Sequence, residues 1–458
     1  MDIEKAVQSL ATPLPEDILK RKWAGDLTGA VAAIDLRLQE ALPETLAWRL
    51  RVERERLRRM PTQYPWNRAQ AFEKLRELAP DVTEAEFDEL ELAGKIDFLF
   101  LEGEKRYFVR FHRTLVKTIP QLTARAGGRT DGKSLWLDPM IAEIKEKGRL
   151  AYRITLEGAM RLAESAFVPD TYRIHIPVPA PCAQQRDIAI EAPGAQIGPE
   201  DAPARTAFWE KAMDVWEDVP LRYTYTSEIR YADPLHAPAP EVPLYPNARP
   251  VEEDDLAQAL PYMRFTPYLR SLAAELSAGE TTPVGKAKKF YDFVTQQVKY
   301  SFMRDYFQID DLGEYCAVNL KGDCGLQALL FILLCRIAGI PARWQSGLSI
   351  DEDYVGSHDW AQFYLEGWGW LFADPSYGGS AWRAGNLERH AFYFGNLDPM
   401  RMVANRRYQA ALYPPMEKLR VDPYDNQSGE IERAAPDAPA FTGRDVDTDM
   451  TLIAREHL

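Results

Sequence analysis

The chain has 458 residues, enough for two to four domains and ample core, and its 46% hydrophobic and 27% charged content is that of an ordinary soluble globular protein. With 55 basic residues against 69 acidic ones the net charge is −14, which argues against a general nucleic-acid surface and against binding to anionic membranes. The four cysteines are too few for a disulfide scaffold, so Cys182, Cys316 and Cys335 read as reduced. The chain starts Met1-Asp2-Ile3-Glu4-Lys5, without a basic leader or apolar signal segment, and no apolar run approaches a membrane span. The expected location is therefore cytoplasmic.

Helical periodicity runs through 17–23, 27–41, 44–60, 67–78 and 83–92, with Pro43, Pro61, Pro65 and Pro80 as breaks. Thr83 and Glu86 have the spacing of a capping box. Arg49, Arg51, Arg54, Arg56, Arg58 and Arg59 crowd one helix, but Glu53 and Glu55 interleave them and stacking aromatics are missing, so a solvated helix face is expected rather than a nucleic-acid surface. Residues 96–101 and 106–111 predict a hairpin that ends a helical region over 1–125. Gly127-Gly128 and Asp131-Gly132 mark a loop or boundary.

Alternation at 152–156, 171–178, 186–190 and 221–231 predicts a small β-rich, sandwich-like domain over 150–232, with His175 as a strand residue. The six prolines of 232–250 predict an extended connector over 233–258, which also carries His236. The six histidines and four cysteines do not cluster in sequence, which argues against a structural zinc site. Asp310-Asp311 and Asp351-Glu352-Asp353 lack calcium-loop spacing and are expected to be solvated. Helical character resumes from 267, opening a catalytic domain over 259–400. The extension 401–458, polar and acidic from Asp422 on, is expected to drape over the surface as a tail or partial lid.

The chemistry concentrates between Lys321 and Gly378. Asp323 is a good N-cap, Leu329 to Leu334 are consecutive apolar residues, and Gly339 followed by Pro341 marks a stop, so a buried helix begins at Cys324. A helix N-terminus favours a thiolate and offers unpaired N–H groups to a developing oxyanion. Asp323 opposes that effect, so a cationic partner is needed, and His358 is the candidate. From His358 to Asp374 the alternation turns at Gly367-Trp368-Gly369 and predicts a hairpin. A two-residue loop would pair Ala361 with Asp374 and turn His358 away. An odd-length loop pairs Trp360 with Asp374 and makes His358 the diagonal neighbour, about 7–8 Å between Cα atoms.

At Gly322-Asp323-Cys324, Gly339-Ile340-Pro341-Ala342-Arg343, His358-Asp359-Trp360 and Gly369-Trp370 leading to Asp374-Pro375, the sequence resembles the transglutaminase-like superfamily of papain-like Cys-His-Asp enzymes, in a bacterial-type multidomain arrangement. The resemblance spans roughly residues 283–378. It implies an α+β fold in which a helical N-terminal region and a small β-rich domain precede a transglutaminase-like catalytic domain. It also implies Cys324 as nucleophile, His358 as general base and acid, and Asp374 as imidazole orienter, with no cofactor or metal. Gln362 stands where an acid commonly follows the H-x-W element, and Asp359 where a small residue is common.

The implied reaction is acyl transfer on an amide through a thioester. Peptide or amide hydrolysis by a cysteine protease or amidase is slightly preferred over transglutamination, with a peptide or protein as substrate. Trp344, Trp360, Trp368 and Tyr377, with Trp370 and Trp382 nearby, are candidates for an aromatic cleft. The alternative is a non-catalytic peptide-binding or assembly module on the same fold. Cys316, eight residues before Cys324, is a candidate regulatory thiol. An imidazole nitrogen of His358 is expected within about 4 Å of the Cys324 sulfur, and reaction of Cys324 with iodoacetamide at mildly acidic pH is expected if thiol and imidazole form an ion pair. Oligomeric state and the role of the helical region are not legible in the sequence.

Overall fold

The computed structural model describes residues 3–128, 133–351, 354–421 and 427–458. The leader reading at Met1-Asp2, the boundary at Asp131-Gly132, the acidic Glu352-Asp353 and the start of the expected tail at Asp422 lie outside them. The fold is mixed α+β: an N-terminal helical region, two four-stranded antiparallel sheets, and a five-stranded sheet packed on helices.

The N-terminal helices build a core of their own around Leu50, Leu57, Phe87, Tyr107 and Phe111. Thr83 and Glu86 form the expected capping box of the helix Glu84–Leu92. The hairpin Phe98–Leu101 with Glu104–Tyr107 does not end this region, because the helices Phe111–Thr118 and Pro120–Arg125 follow it. The helix Glu44–Gln63 departs from the expected solvated face: Arg49, Arg56 and Arg59 are buried. Arg49 and Arg56 ion-pair with Glu53 at 2.7 and 3.0 Å. Arg56 also reaches Asp310 at 2.8 Å, and Arg59 donates to the carbonyl of Arg420 at 2.8 Å. Asp310 is thus a docking partner for the helix. Asp311 caps the helix Leu312–Asn319 by accepting from the Glu314 N–H, and burial raises its carboxyl to about 6.

The middle region holds the expected strands Arg149–Leu162, Asp170–Pro177, Gln185–Glu191 and Val219–Arg230, together with Gln196–Ile197 and Thr206–Met213, which were not anticipated. His175 lies on its strand with Nδ1 3.1 Å from the Thr206 hydroxyl. The C-terminal segment is not a draped tail. Glu430–Arg433 pairs with Asp170–Pro177, and Val446–His457 runs the length of Arg149–Leu162, so each sheet takes one edge strand from the chain end. Ile154, Leu156, Ile174, Ile176 and Tyr225 belong to one core that continues into the region of the five-stranded sheet. The proline-rich connector packs as well. Tyr245 is buried with its hydroxyl accepting from the Arg230 N–H, and the Leu244 N–H donates to the carbonyl of Trp368.

In the five-stranded sheet the strand Val355–Leu365 is central, between Ala342–Ile350 and Gly369–Ala373. Phe394–Gly395 and Arg401–Asn405 lie at the edges. Against this sheet lies the helix Cys324–Ile337. From Leu326 to Cys335 its side chains are fully buried, each large apolar one worth about 1.5–3 kcal/mol of transfer free energy. The helix stops as its sequence dictates: the Ile340 N–H reaches the Cys335 carbonyl, the Gly339 N–H reaches that of Arg336, and Gly339 takes φ of +78°. Among the described residues no helix is long and apolar enough to cross a membrane.

Candidate active site

Cys324 is the first residue of its helix, with Asp323 at the N-cap accepting from the Leu326 N–H at 3.2 Å. The Tyr306 hydroxyl donates to the same Asp323 oxygen and lies 2.1 Å from where a Cβ on Gly325 would sit. A side chain there would push Tyr306 off the cap. The glycine thus lets Tyr306 lie against the first turn.

The hairpin has the odd-length loop. Leu365 pairs with Gly369 around Glu366-Gly367-Trp368, and Ala361 pairs with Ala373. One step further along that register Trp360 stands opposite Asp374, and His358 Nε2 lies 2.7 Å from Asp374 Oδ2. The second oxygen of Asp374 caps the next helix, Pro375–Arg383, by accepting from the Tyr377 N–H at 2.9 Å. Arg401 Nη2 lies 3.2 Å from Asp374 Oδ2 and 2.6 Å from Asp398. Burial opposes charging of Asp374, but His358 and Arg401 outweigh it and hold the carboxyl below its usual range. Burial pushes the His358 imidazole below its ordinary value; Asp374 works against that shift and Arg401 adds to it.

Cys324, His358 and Asp359 line a cleft of about 830 Å³. Among the described residues the thiol bonds not to the imidazole but to Asp359, with Sγ 3.3 Å from Oδ2. The other oxygen of Asp359 accepts from the side-chain amide of Gln427, and Ser428 Oγ is 3.2 Å from Ser357 Oγ. The Cys324 thiol is pushed well above its ordinary value, first by burial and then by the charges of Asp359 and Asp323. Both shifts run toward the neutral thiol and the neutral imidazole, against the thiolate–imidazolium pair that ready alkylation at mildly acidic pH requires. Labelling should instead accelerate steadily as pH rises through 7 to 9, because only the thiolate reacts. Asp359→Asn removes a negative charge in contact with the sulfur and should speed reaction with a small aromatic disulfide at pH 8 by roughly three- to tenfold. An unchanged rate, followed by mass spectrometry at Cys324, would show that Asp359 does not hold the thiol.

Of the aromatic candidates, Tyr377 lines the cleft, 4.8 Å from the His358 ring. Trp344, Trp360 and Trp368 are core residues. Trp360 stacks beside His358 and donates to Gln345, and Trp344 packs on Tyr408. Gln362 accepts from Arg343, whose guanidinium covers Trp370 at 3.8 Å. Cys316 is fully buried, its thiol pushed up by burial. Sequence reasoning missed Arg401 and Gln427. Arg401 had one local signal, Asp398 three residues earlier; Gln427 had none.

A family model described as the transglutaminase-like superfamily matches residues 270–375. No curated protein matches the chain. Among solved structures, a Cytophaga hutchinsonii protein provisionally designated a cysteine protease is 14% identical with a TM-score of 0.39, over 68% of this chain and 90% of that one. The periplasmic domain of TgpA from Pseudomonas aeruginosa is 17% identical with a TM-score of 0.29, over 56% and 94%. A protein of Parabacteroides distasonis provisionally designated a protease is 11% identical with a TM-score of 0.22, over 50% and 60%. The stretch that carries the cysteine helix, the histidine strand and the hairpin ending at Asp374 is thus a transglutaminase-like superfamily domain.

Proposed function

We propose that this cleft carries out thiol-dependent acyl transfer on an amide, with hydrolysis ahead of transfer to a second amine. The observation that carries the reading is the buried His358–Asp374 hydrogen bond in the cleft that also holds a helix-terminal cysteine. Because Nε2 is committed to Asp374, Nδ1 is the nitrogen left to take the thiol proton. In the forward step Cys324 Sγ bonds to the amide carbonyl carbon as His358 Nδ1 receives that proton, and N–H groups of the first helical turn face the oxyanion. The C–N bond then breaks, and the imidazolium protonates the departing amine. Water, deprotonated by His358, releases the acid and frees the thiol.

Neutral resting groups suit this sequence, in which His358 acts as general base during attack. They also favour a second reading, a non-catalytic peptide-binding module in which Asp359 holds the thiol in check. Intact-mass analysis after exposure to a library of peptide amides separates the two. The first reading expects an acyl adduct on Cys324 that accumulates on acid quenching and is lost in Cys324→Ala; binding without adduct or product under conditions where the peptides are retained supports the second.

A further inference from the structure

The cleft has a wall that comes from the N-terminal helical region. Arg110, at the N-cap of the helix Phe111–Thr118, and Arg113 and Lys117 within it, all line the space that holds Cys324. Their spacing of i, i+3 and i+7 sets them on one helix face. All three side chains are exposed in the free protein. Among the described residues none makes a hydrogen bond or ion pair with a protein acceptor, in a chain of net charge −14. Two of them contact aromatic rings on the segment that leads into the cysteine helix: Lys117 Nζ lies 4.0 Å from the Tyr300 ring centre, and the Arg110 guanidinium 5.9 Å from that of Phe302. Rings position these cations without neutralising them.

The face is fixed relative to the nucleophile. The Phe302 N–H donates to Thr114 Oγ1 at 3.1 Å, the Asp305 N–H to Gln63 Oε1 at 3.1 Å, and Gln308 to the carbonyl of Arg56 at 2.7 Å. Lys117 sits close enough to Cys324 for the two to interact electrostatically. Acids on the remaining walls are mostly engaged already: Asp449 faces Arg161 at 3.7 Å, Glu430 faces Arg420 at 3.5 Å, and Asp359 holds Gln427 and the thiol. Asp323 holds the Tyr306 hydroxyl and the Leu326 N–H, and Asp305, Asp351 and Asp447 line the cleft as well.

We infer that Arg110, Arg113 and Lys117 form a carboxylate-binding ledge, and that this site takes peptides carrying acidic residues on one side of the reacting amide. The inference rests on the acyl-transfer reading for what happens to the peptide, and on charge complementarity alone for its binding. A guanidinium matches a carboxylate in a two-pronged hydrogen-bonded pair, and two of them with an ammonium can hold more than one acidic side chain. It also gives the N-terminal region a role, since its helix adds three cations to the cleft wall that Arg304 shares.

The test uses the full chain with Cys324→Ala, so that binding is read without turnover. Fluorescence anisotropy compares a peptide with three glutamates before a central glutamine against the same peptide with those glutamates replaced by glutamine. The acidic peptide should bind at least tenfold more tightly at low ionic strength, and the advantage should shrink in 0.5 M salt. Arg110→Gln/Arg113→Gln/Lys117→Gln should bring the two peptides to equal affinity; the salt series on the otherwise unaltered chain serves as a readout that needs no ledge variant to fold. Equal binding of the two peptides at every salt concentration, or an acidic preference that survives the triple substitution, overturns the ledge. Turnover by the unsubstituted protein without charge preference would sink the ledge and spare the chemistry. Selective binding of the acidic peptide without turnover or adduct would do the reverse.

Discussion

Asp374→Ala is expected to lower turnover on an acidic peptide amide by about a thousandfold to ten-thousandfold, with the fold intact. The carboxylate has three partners: the His358 imidazole at 2.7 Å, Arg401 at 3.2 Å and the Tyr377 N–H at 2.9 Å. The first fixes the tautomer that leaves Nδ1 free for the thiol and stabilises the imidazolium as it forms. Without Asp374 the imidazole keeps Arg401, which already depresses it, so orientation and charge compensation are lost together. The structural cost is about 1 kcal/mol for the lost helix cap plus the lost buried contact with Arg401, which is softened because Arg401 keeps Asp398 at 2.6 Å. A pH profile distinguishes this from loss of packing. In the proposed mechanism the neutral imidazole is the base, and burial holds its pKa down, so the acid limb of kcat/KM should lie below about pH 6.5, the ordinary histidine value. In Asp374→Ala it should move further toward acid. Full activity in the variant, or an unmoved acid limb, would remove Asp374 from the mechanism.

What the sequence made legible was what short-range patterns specify. The cap at Asp323, the stop at Gly339 and the apolar run between them define the cysteine helix within a few residues, and glycines around Trp368 leave room for the odd loop that sets the register of His358 and Asp374. What it hid was set by partners distant in the chain. Val446–His457 reads as an irregular polar tail because it is an edge strand with Met450 as its one buried residue, so hydrophobic alternation is faint. Asp359 reads as a departure from a family pattern, and its local effect appears only when the thiol and Gln427, 68 residues away, are brought to its two oxygens. Nothing in the sequence singles out Arg110, Arg113 and Lys117; only the fold brings them to the cleft that holds Cys324. The arginine-rich helix was misjudged for a related reason. Interleaved glutamates are typical of a solvated face, and nothing local shows that Arg56 and Arg59 meet residues more than two hundred positions later.

That helix carries the largest expected effect on stability. Glu53 is fully buried among three cations, with Lys22 at 2.8 Å, Arg49 at 2.7 Å and Arg56 at 3.0 Å. Burial opposes its ionisation, but Arg56, Lys22 and Arg49 together overcome that and hold its carboxyl far below the usual range. Glu53→Gln keeps the shape and removes the charge, leaving three cations facing one another, two of them buried. Taking one partner out of such a cluster costs about 3–5 kcal/mol. Because Arg56 also anchors Asp310, the loss should reach the contact between the helical and catalytic regions, which fixes the ledge beside Cys324. The pH dependence has a definite sign. The folded carboxyl lies below its unfolded value near 4.3, so the stabilisation is complete above that pH and is lost as pH falls toward the folded value. Amide exchange along Glu44–Gln63 should therefore be much faster in Glu53→Gln than in the unsubstituted protein at pH 7, and the gap should narrow progressively below pH 4.3. A difference under about 1 kcal/mol at pH 7, or one that stays constant into acid, would show that the cluster does not depend on the charge of Glu53.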